Sequence, residues 1–214
     1  QTNDDLNWDL HIIRPVIDQF GINGIFATNL DGVGSLTITG GYFVGSSSSQ
    51  AAIYGSNSNG ISISGGAQIL GIDNNTTDDK GIEFSSCSSC SIVGNRFGNC
   101  RYGVFFSNTT FSTVVGNIFS AASTESETAP TLTEAISLNG TSTDNSIVDN
   151  TIKGKDSTHK YAAGIAIAST ASNTRMIGNT IDSATVTDNI VDRSTSSITG
   201  QSAFKNRVMN GNIN

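Results

Sequence analysis

Ser91-Ile92-Val93-Gly94-Asn95-Arg96-Phe97 is the clearest form of a phrase that recurs through the chain. It returns as Thr113-Val114-Val115-Gly116-Asn117-Ile118-Phe119, as Ser146-Ile147-Val148-Asp149-Asn150-Thr151-Ile152 and as Arg175-Met176-Ile177-Gly178-Asn179-Thr180-Ile181. Weaker versions begin at Leu10, Leu36, Ile61 (with one extra residue) and Val208. Aligned on the Asn or its substitute, the phrases fall at positions 15, 41, 66, 95, 117, 150, 179 and 211. A period in the twenties to low thirties means stacked units, each unable to bury its own apolar face alone.

A second phrase precedes most of the first: Gly24-Ile25-Phe26-Ala27, Ala52-Ile53-Tyr54-Gly55, Gly81-Ile82-Glu83-Phe84, Gly103-Val104-Phe105-Phe106, Ala135-Ile136-Ser137-Leu138 and Gly164-Ile165-Ala166-Ile167. From Gly81 to Asn95 and from Gly103 to Asn117 the distance is 14 residues. Apolar and polar residues alternate over short runs, which is the period of a strand and not of a helix. Three short strands per unit, joined by turns of Gly, Asn and Ser, make a coil that climbs one strand spacing per turn. The expected fold is all-β, a parallel β-helix of about eight coils occupying residues 1–214 as one domain. A sharp bend between strands calls for a residue that tolerates a left-handed backbone, and this is the expected role of the Asn position. Stacked Asn side chains can also bond to one another along the axis.

Composition narrows the function. The regular recurrence of Val, Ile and Phe rules out disorder although only 36% of the residues are apolar. A net charge of −7 and 11 scattered Lys and Arg residues exclude a nucleic-acid partner, which needs clustered cations. No apolar run is long enough to span a membrane, and no signal peptide is expected. The chain does not open with Met and stops just after a repeat begins, so it is expected to be a fragment of a longer one. Cys87, Cys90 and Cys100 fall short of the four ligands zinc wants, with His11 and His159 distant in sequence. Partly buried thiols are expected, with a Cys87–Cys90 bridge as the alternative. Neither a metal nor a cofactor is expected.

The variable connections are 70–80, 98–102, 120–134, 153–163 and 182–197, and insertions of this kind fall on one corner of a solenoid and build its binding face. Beside them, the second residue after each Gly of the second phrase should face solvent: Phe26, Tyr54, Glu83, Phe105, Ser137 and Ala166. A carboxylate between Tyr54 and Phe105 is what a sugar-binding groove needs, because aromatic faces stack on pyranose rings and an acid sits near the linkage. The other reading is that these aromatics pack under loops or against another subunit.

Glycoside hydrolysis takes two carboxyl groups, about 5–5.5 Å apart for retention or about 6.5–9.5 Å for inversion. Asp79, four residues before Glu83, is the expected partner, and Glu134, two coils on, is the third catalytic candidate. Tyr54, Phe105, Tyr102 and Arg101 are the substrate-binding candidates on or beside the strand, with Glu125, Glu127 and His159 on the insertions. An exposed loop acid or histidine also serves solubility, and that reading stands beside the functional one.

The paired phrases, Gly-Ile-x-Phe followed by Ile-Val-Gly-Asn-x-Phe, resemble the right-handed parallel β-helix repeats of the pectin lyase-like superfamily over nearly the whole chain. Within that group, the Ser/Thr/Asn/Gly-rich surface is most similar to bacteriophage tailspikes. The resemblance implies a homotrimer at the virion tail that binds, and in many cases cleaves, host surface polysaccharide. The chain departs from the enzyme families. The Asn-Thr-Asp, Gly-Asp-Asp, Gly-His-Gly and Arg-x-Lys motifs of polygalacturonases are missing, and Asp78-Asp79 is the only adjacent acidic pair after Asp4-Asp5 where pectate lyases carry a calcium cluster. A non-catalytic structural or adhesive β-helix is the alternative from another class, and a free polysaccharide lyase is a third.

Overall fold

The computed structural model describes residues 9–30, 35–45, 50–71, 80–120, 132–154, 161–182, 186–194 and 207–209. Each coil passes through three strands. The first holds β1 (Asp9–Ile13), β2 (Val16–Phe20) and β3 (Asn23–Thr28), the second β4 (Ser35–Thr39), β5 (Tyr42–Gly45) and β6 (Ala51–Ser56). The third holds β7 (Ser62–Ser64), β8 (Gln68–Leu70) and β9 (Lys80–Ser85), the fourth β10 (Ser91–Val93), β11 (Arg96–Gly98) and β12 (Tyr102–Ser107). The fifth holds β13 (Thr113–Val115), β14 (Ile118–Ser120) and β15 (Leu132–Asn139), the sixth β16 (Ser146–Val148), β17 (Thr151–Lys153) and β18 (Tyr161–Ile167). The seventh holds β19 (Arg175–Ile177), β20 (Thr180–Asp182) and β21 (Val186–Asp192), and β22 (Arg207–Met209) is the described part of an eighth.

Strands at like positions pair in parallel from coil to coil, giving three sheets of seven, eight and seven strands. The stack is therefore slightly shorter than eight complete coils among the described residues. The first sheet runs β1-β4-β7-β10-β13-β16-β19, the second starts at β2 and the third at β3. Strand β21 lies within the stretch 182–197 that the sequence marks as a variable connection; its Ile190 pairs with Ile165 and continues the inner column.

The core is made of like residues on like residues. In the first sheet Ile38, Ile63, Ile92, Val114 and Ile147 are consecutive partners and are fully buried. In the second, Phe97 and Phe119 stack with ring centroids 4.7 Å apart. Each such side chain contributes about 1.5–3 kcal/mol by leaving water. The rings lean over the small residues that open the third-sheet strands: a Cβ on Gly81 or Gly103 would run into Phe97 or Phe119.

Asn95, Asn117, Asn150 and Asn179 form the expected ladder, entirely inside the protein. Asn117 Oδ1 accepts the backbone N–H of Asn95 at 2.9 Å, and Asn150 and Asn179 repeat the bond one and two coils on, at 3.0 Å each. Each Nδ2 donates to a backbone carbonyl in the coil before it, as Asn117 does to Ile92 at 2.9 Å. The corner chemistry differs from expectation, because the left-handed residue is the one before the Asn: Gly94, Gly116, Asp149 and Gly178 have φ of 67°, 63°, 53° and 68°. The Asn side chain satisfies buried backbone groups while its neighbour makes the bend. In the third coil the register sets Ala67, and not Gly66, beside Asn95, and Ala67 N–H donates to Asn95 Oδ1.

The cysteines are unbridged and fully buried rather than partly so. Cys87 continues a hydroxyl column with Ser58, Thr109 and Ser142, and Cys90 stands with Ser112 and Asn145. Their thiols lie 3.5 and 3.3 Å from the carbonyls of Ser85 and Ser88. A hydrogen bond between the two thiols pushes Cys90 well above the usual thiol range, with burial adding to the rise, and holds Cys87 below it.

Candidate functional site

The third sheet carries the column expected from the second phrase, in the expected register: Phe26 pairs with Tyr54, Tyr54 with Glu83, Glu83 with Phe105, Phe105 with Ser137 and Ser137 with Ala166. Its exposure is uneven. Phe26 is 61% exposed, Tyr54 and Phe105 are half-buried, and Ser137 and Ala166 are buried, so the expectation that the whole column faces solvent fails over its last two positions. The open part of the column lies over the first four coils.

Phe26 and Tyr54 stack with centroids 5.3 Å apart and planes 8° from parallel. The next rung is ionic. Lys80 Nζ lies 3.2 Å from Glu83 Oε2, with 12% and 17% of the two side chains exposed, and the same Nζ sits 5.0 Å from the centre of the Phe105 ring. Tyr102 meets Phe105 edge-on at 5.2 Å. Lys80 was not among the residues legible in the sequence, because a regular strand turns residues three apart to opposite faces. Here the long Lys80 side chain nonetheless reaches Glu83, with Gly81 between them buried beneath Phe97.

Of the expected catalytic carboxylates, Glu83 and Glu134 are described, and they stand apart. Glu134 pairs with Tyr102, which pairs with Lys80, so it stands two strands from Glu83, about 10 Å along the axis, and is offset along the strand as well. Its backbone N–H donates to the carbonyl of Arg101 at 3.1 Å. Asp79, Glu125, Glu127 and His159 lie outside the described residues. The connections 70–80, 98–102, 120–134 and 153–163 all run from the second sheet to the third, the corner bordering this column. Chemically, the strip offers two apolar ring surfaces separated by a rung rich in hydrogen-bonding and charged groups.

The class defined by these features is the parallel β-helix. Residues 23–204 match the family described as the right handed beta helix region, and the chain belongs to it. Among solved structures, that of the Streptococcus pneumoniae surface protein and adhesin PfbA is similar at 15% identity, with a TM-score of 0.47, over 82% of this chain and 49% of that one. The chain therefore spans about half the length of that structure. No curated protein sequence matches it significantly. Among the described residues no helix is long and apolar enough to cross a membrane.

Proposed function

We propose that the protein is a polysaccharide-binding β-helix that lays a glycan along its third sheet, with sugar rings against Phe26, Tyr54 and Phe105. The observation that carries this reading is the stacked and open Phe26–Tyr54 pair in line with Phe105. A protein gains nothing in its own core from leaving a Phe 61% exposed, whereas an aromatic face is a good surface for the C–H face of a pyranose. Successive rungs are one strand spacing apart, about 4.8 Å, so a polymer running parallel to the axis meets a new rung with each sugar unit or so. Between the rings, Lys80 and Glu83 supply a donor and an acceptor for hydroxyls.

In the tailspike form of this reading the glycan is a host cell-surface polysaccharide, and the chain works as a homotrimer at a virion tail. In the adhesive form the same strip holds without cutting. Hydrolysis would rest on Glu83 with Asp79 as its partner, and the separation of Glu134 from Glu83 favours the holding form. Incubating the protein with purified bacterial surface polysaccharides tests both. Binding without release of oligosaccharides supports the adhesive form; release that Glu83→Gln abolishes supports the hydrolytic one. No binding to any glycan would overturn the reading.

A further inference from the structure

Beside the aromatic column of the third sheet runs a second one. Two residues further along each strand, on the same face, stand Thr28, Ser56, Ser85, Ser107 and Asn139, consecutive partners in the register. At about 3.3 Å per residue this column lies about 6.6 Å from the first, so each rung offers a ring or a charged pair on one side and a hydroxyl or amide on the other. The ends of the column are occupied by the protein itself: Thr28 Oγ1 and Ser56 Oγ are 3.0 Å apart, and Asn139 Nδ2 donates to Ser137 Oγ at 2.7 Å. Its middle is open. Ser85 and Ser107 are half-buried, and among the described residues neither hydroxyl has a hydrogen-bond partner.

Charge on this strip cancels. Lys80 and Glu83 are the only charged residues of β3, β6, β9 and β12, and they pair with each other. The connections into these strands and into β15 carry Asp73, Asp78, Asp79, Glu125 and Glu127 against one cation, Arg101, which is already engaged within the protein. With a net charge of −7 on the chain, an anionic polymer is repelled on approach, and on arrival its carboxylates lose water without gaining a free cation. A cationic sugar is drawn in at long range but meets Lys80 beside Glu83 at the rings.

We infer, resting on the glycan-binding reading of this strip, that the polymer is an uncharged polysaccharide and that Ser85 and Ser107 select it by hydrogen bonding to its hydroxyls while its rings lie on the aromatic column. A serine hydroxyl both donates and accepts, which suits a sugar hydroxyl that does the same, whereas a carboxylate only accepts. The two serines are direct partners on neighbouring strands, about 4.8 Å apart along the axis. They therefore meet successive parts of a chain running in the direction set by Phe26, Tyr54 and Phe105.

Calorimetric titration with neutral bacterial surface polysaccharides, with uronate-bearing ones, and with the same uronate-bearing polymers after reduction of their carboxyl groups to alcohols tests this. A neutral polymer is expected to bind with an affinity that is the same in low and high salt, and carboxyl reduction is expected to raise the affinity of a uronate polymer about tenfold or more. The Ser85→Ala, Ser107→Ala double variant is expected to weaken binding of the neutral polymer about tenfold with circular dichroism unchanged, and Ser85→Thr, Ser107→Thr, which keeps both hydroxyls, is expected to weaken it less. A uronate polymer bound at least as tightly as its reduced form overturns the uncharged class, and an alanine double variant that binds as tightly as the wild type overturns the role of the serines. Either result leaves a glycan bound, and the proposed function stands. Binding to no polymer, neutral or charged, sinks the proposed function and this inference with it.

Discussion

Asn117 Oδ1 accepts the backbone N–H of Asn95 from the coil before it, and Asn117 Nδ2 donates to the carbonyl of Ile92 in that same coil. One side chain therefore serves two buried backbone groups that water cannot reach. Asn117→Ala leaves the Asn95 N–H without a partner, at about 1–3 kcal/mol, and takes one bond from the Ile92 carbonyl, which keeps its place in the β10–β13 ladder, so a loss of about 2 kcal/mol is expected. Denaturant unfolding followed by circular dichroism measures it, and a loss below about 1 kcal/mol contradicts the role of the ladder.

Gly103 and Gly116 separate two reasons for glycine. At Gly116 the Cβ of an alanine has open space, and only the left-handed backbone at φ 63° resists it, at about 1–2 kcal/mol. At Gly103 the Cβ enters the Phe119 ring and the carbonyl of Ala135, both held in a packed core. Gly103→Ala is expected to cost more than Gly116→Ala, about 3 kcal/mol or failure to fold. Equal losses in thermal unfolding would show that the small column is not confined by the rings.

Cys87 and Cys90 occupy positions filled by Ser58, Thr109, Ser142 and Ser112 in neighbouring coils. Cys87→Ser and Cys90→Ser are expected to cost about 1 kcal/mol or less, because a hydroxyl donates to the same carbonyls. The three thiols are expected to react with a thiol reagent only after unfolding. Rapid labelling of the native protein would contradict their burial.

The mostly buried Lys80–Glu83 pair is expected to be worth most when half of it is removed. Lys80→Met leaves a partly desolvated carboxylate beside Phe105 and is expected to cost about 2 kcal/mol. The Lys80→Met, Glu83→Gln double variant is expected to regain most of that. A double-mutant cycle with no coupling would show that the pair is only a surface contact.

The coil was legible because alternation of apolar residues and the fixed 14 residues from Gly81 to Asn95 set strand, corner and register together. That register brought Tyr54, Glu83 and Phe105 into one column, as expected. What escaped depends on departures from regularity. The reach of the Lys80 side chain to Glu83, three residues on, is not what the period-2 rule expects, and the burial of Ser137 and Ala166 depends on surroundings that strand periodicity does not encode. The corner residue was misplaced by one because Gly and Asn tolerate the same backbone, and only the hydrogen bonds show which of them bends. Asp79, Glu125, Glu127 and His159 belong to connections without a repeat, where no neighbouring coil supplies a register.

Binding of a surface polysaccharide at the Phe26–Tyr54 strip is the central claim, and calorimetric titration with the best ligand from a panel of bacterial surface glycans tests it most directly. The wild type is expected to bind, with Phe26→Ala and Tyr54→Ala each weakening binding about tenfold, or about 1.4 kcal/mol, in a protein whose circular dichroism is unchanged. A glycan that binds a folded Phe26→Ala, Tyr54→Ala double variant as tightly as the wild type, or a wild type that binds none, would contradict it.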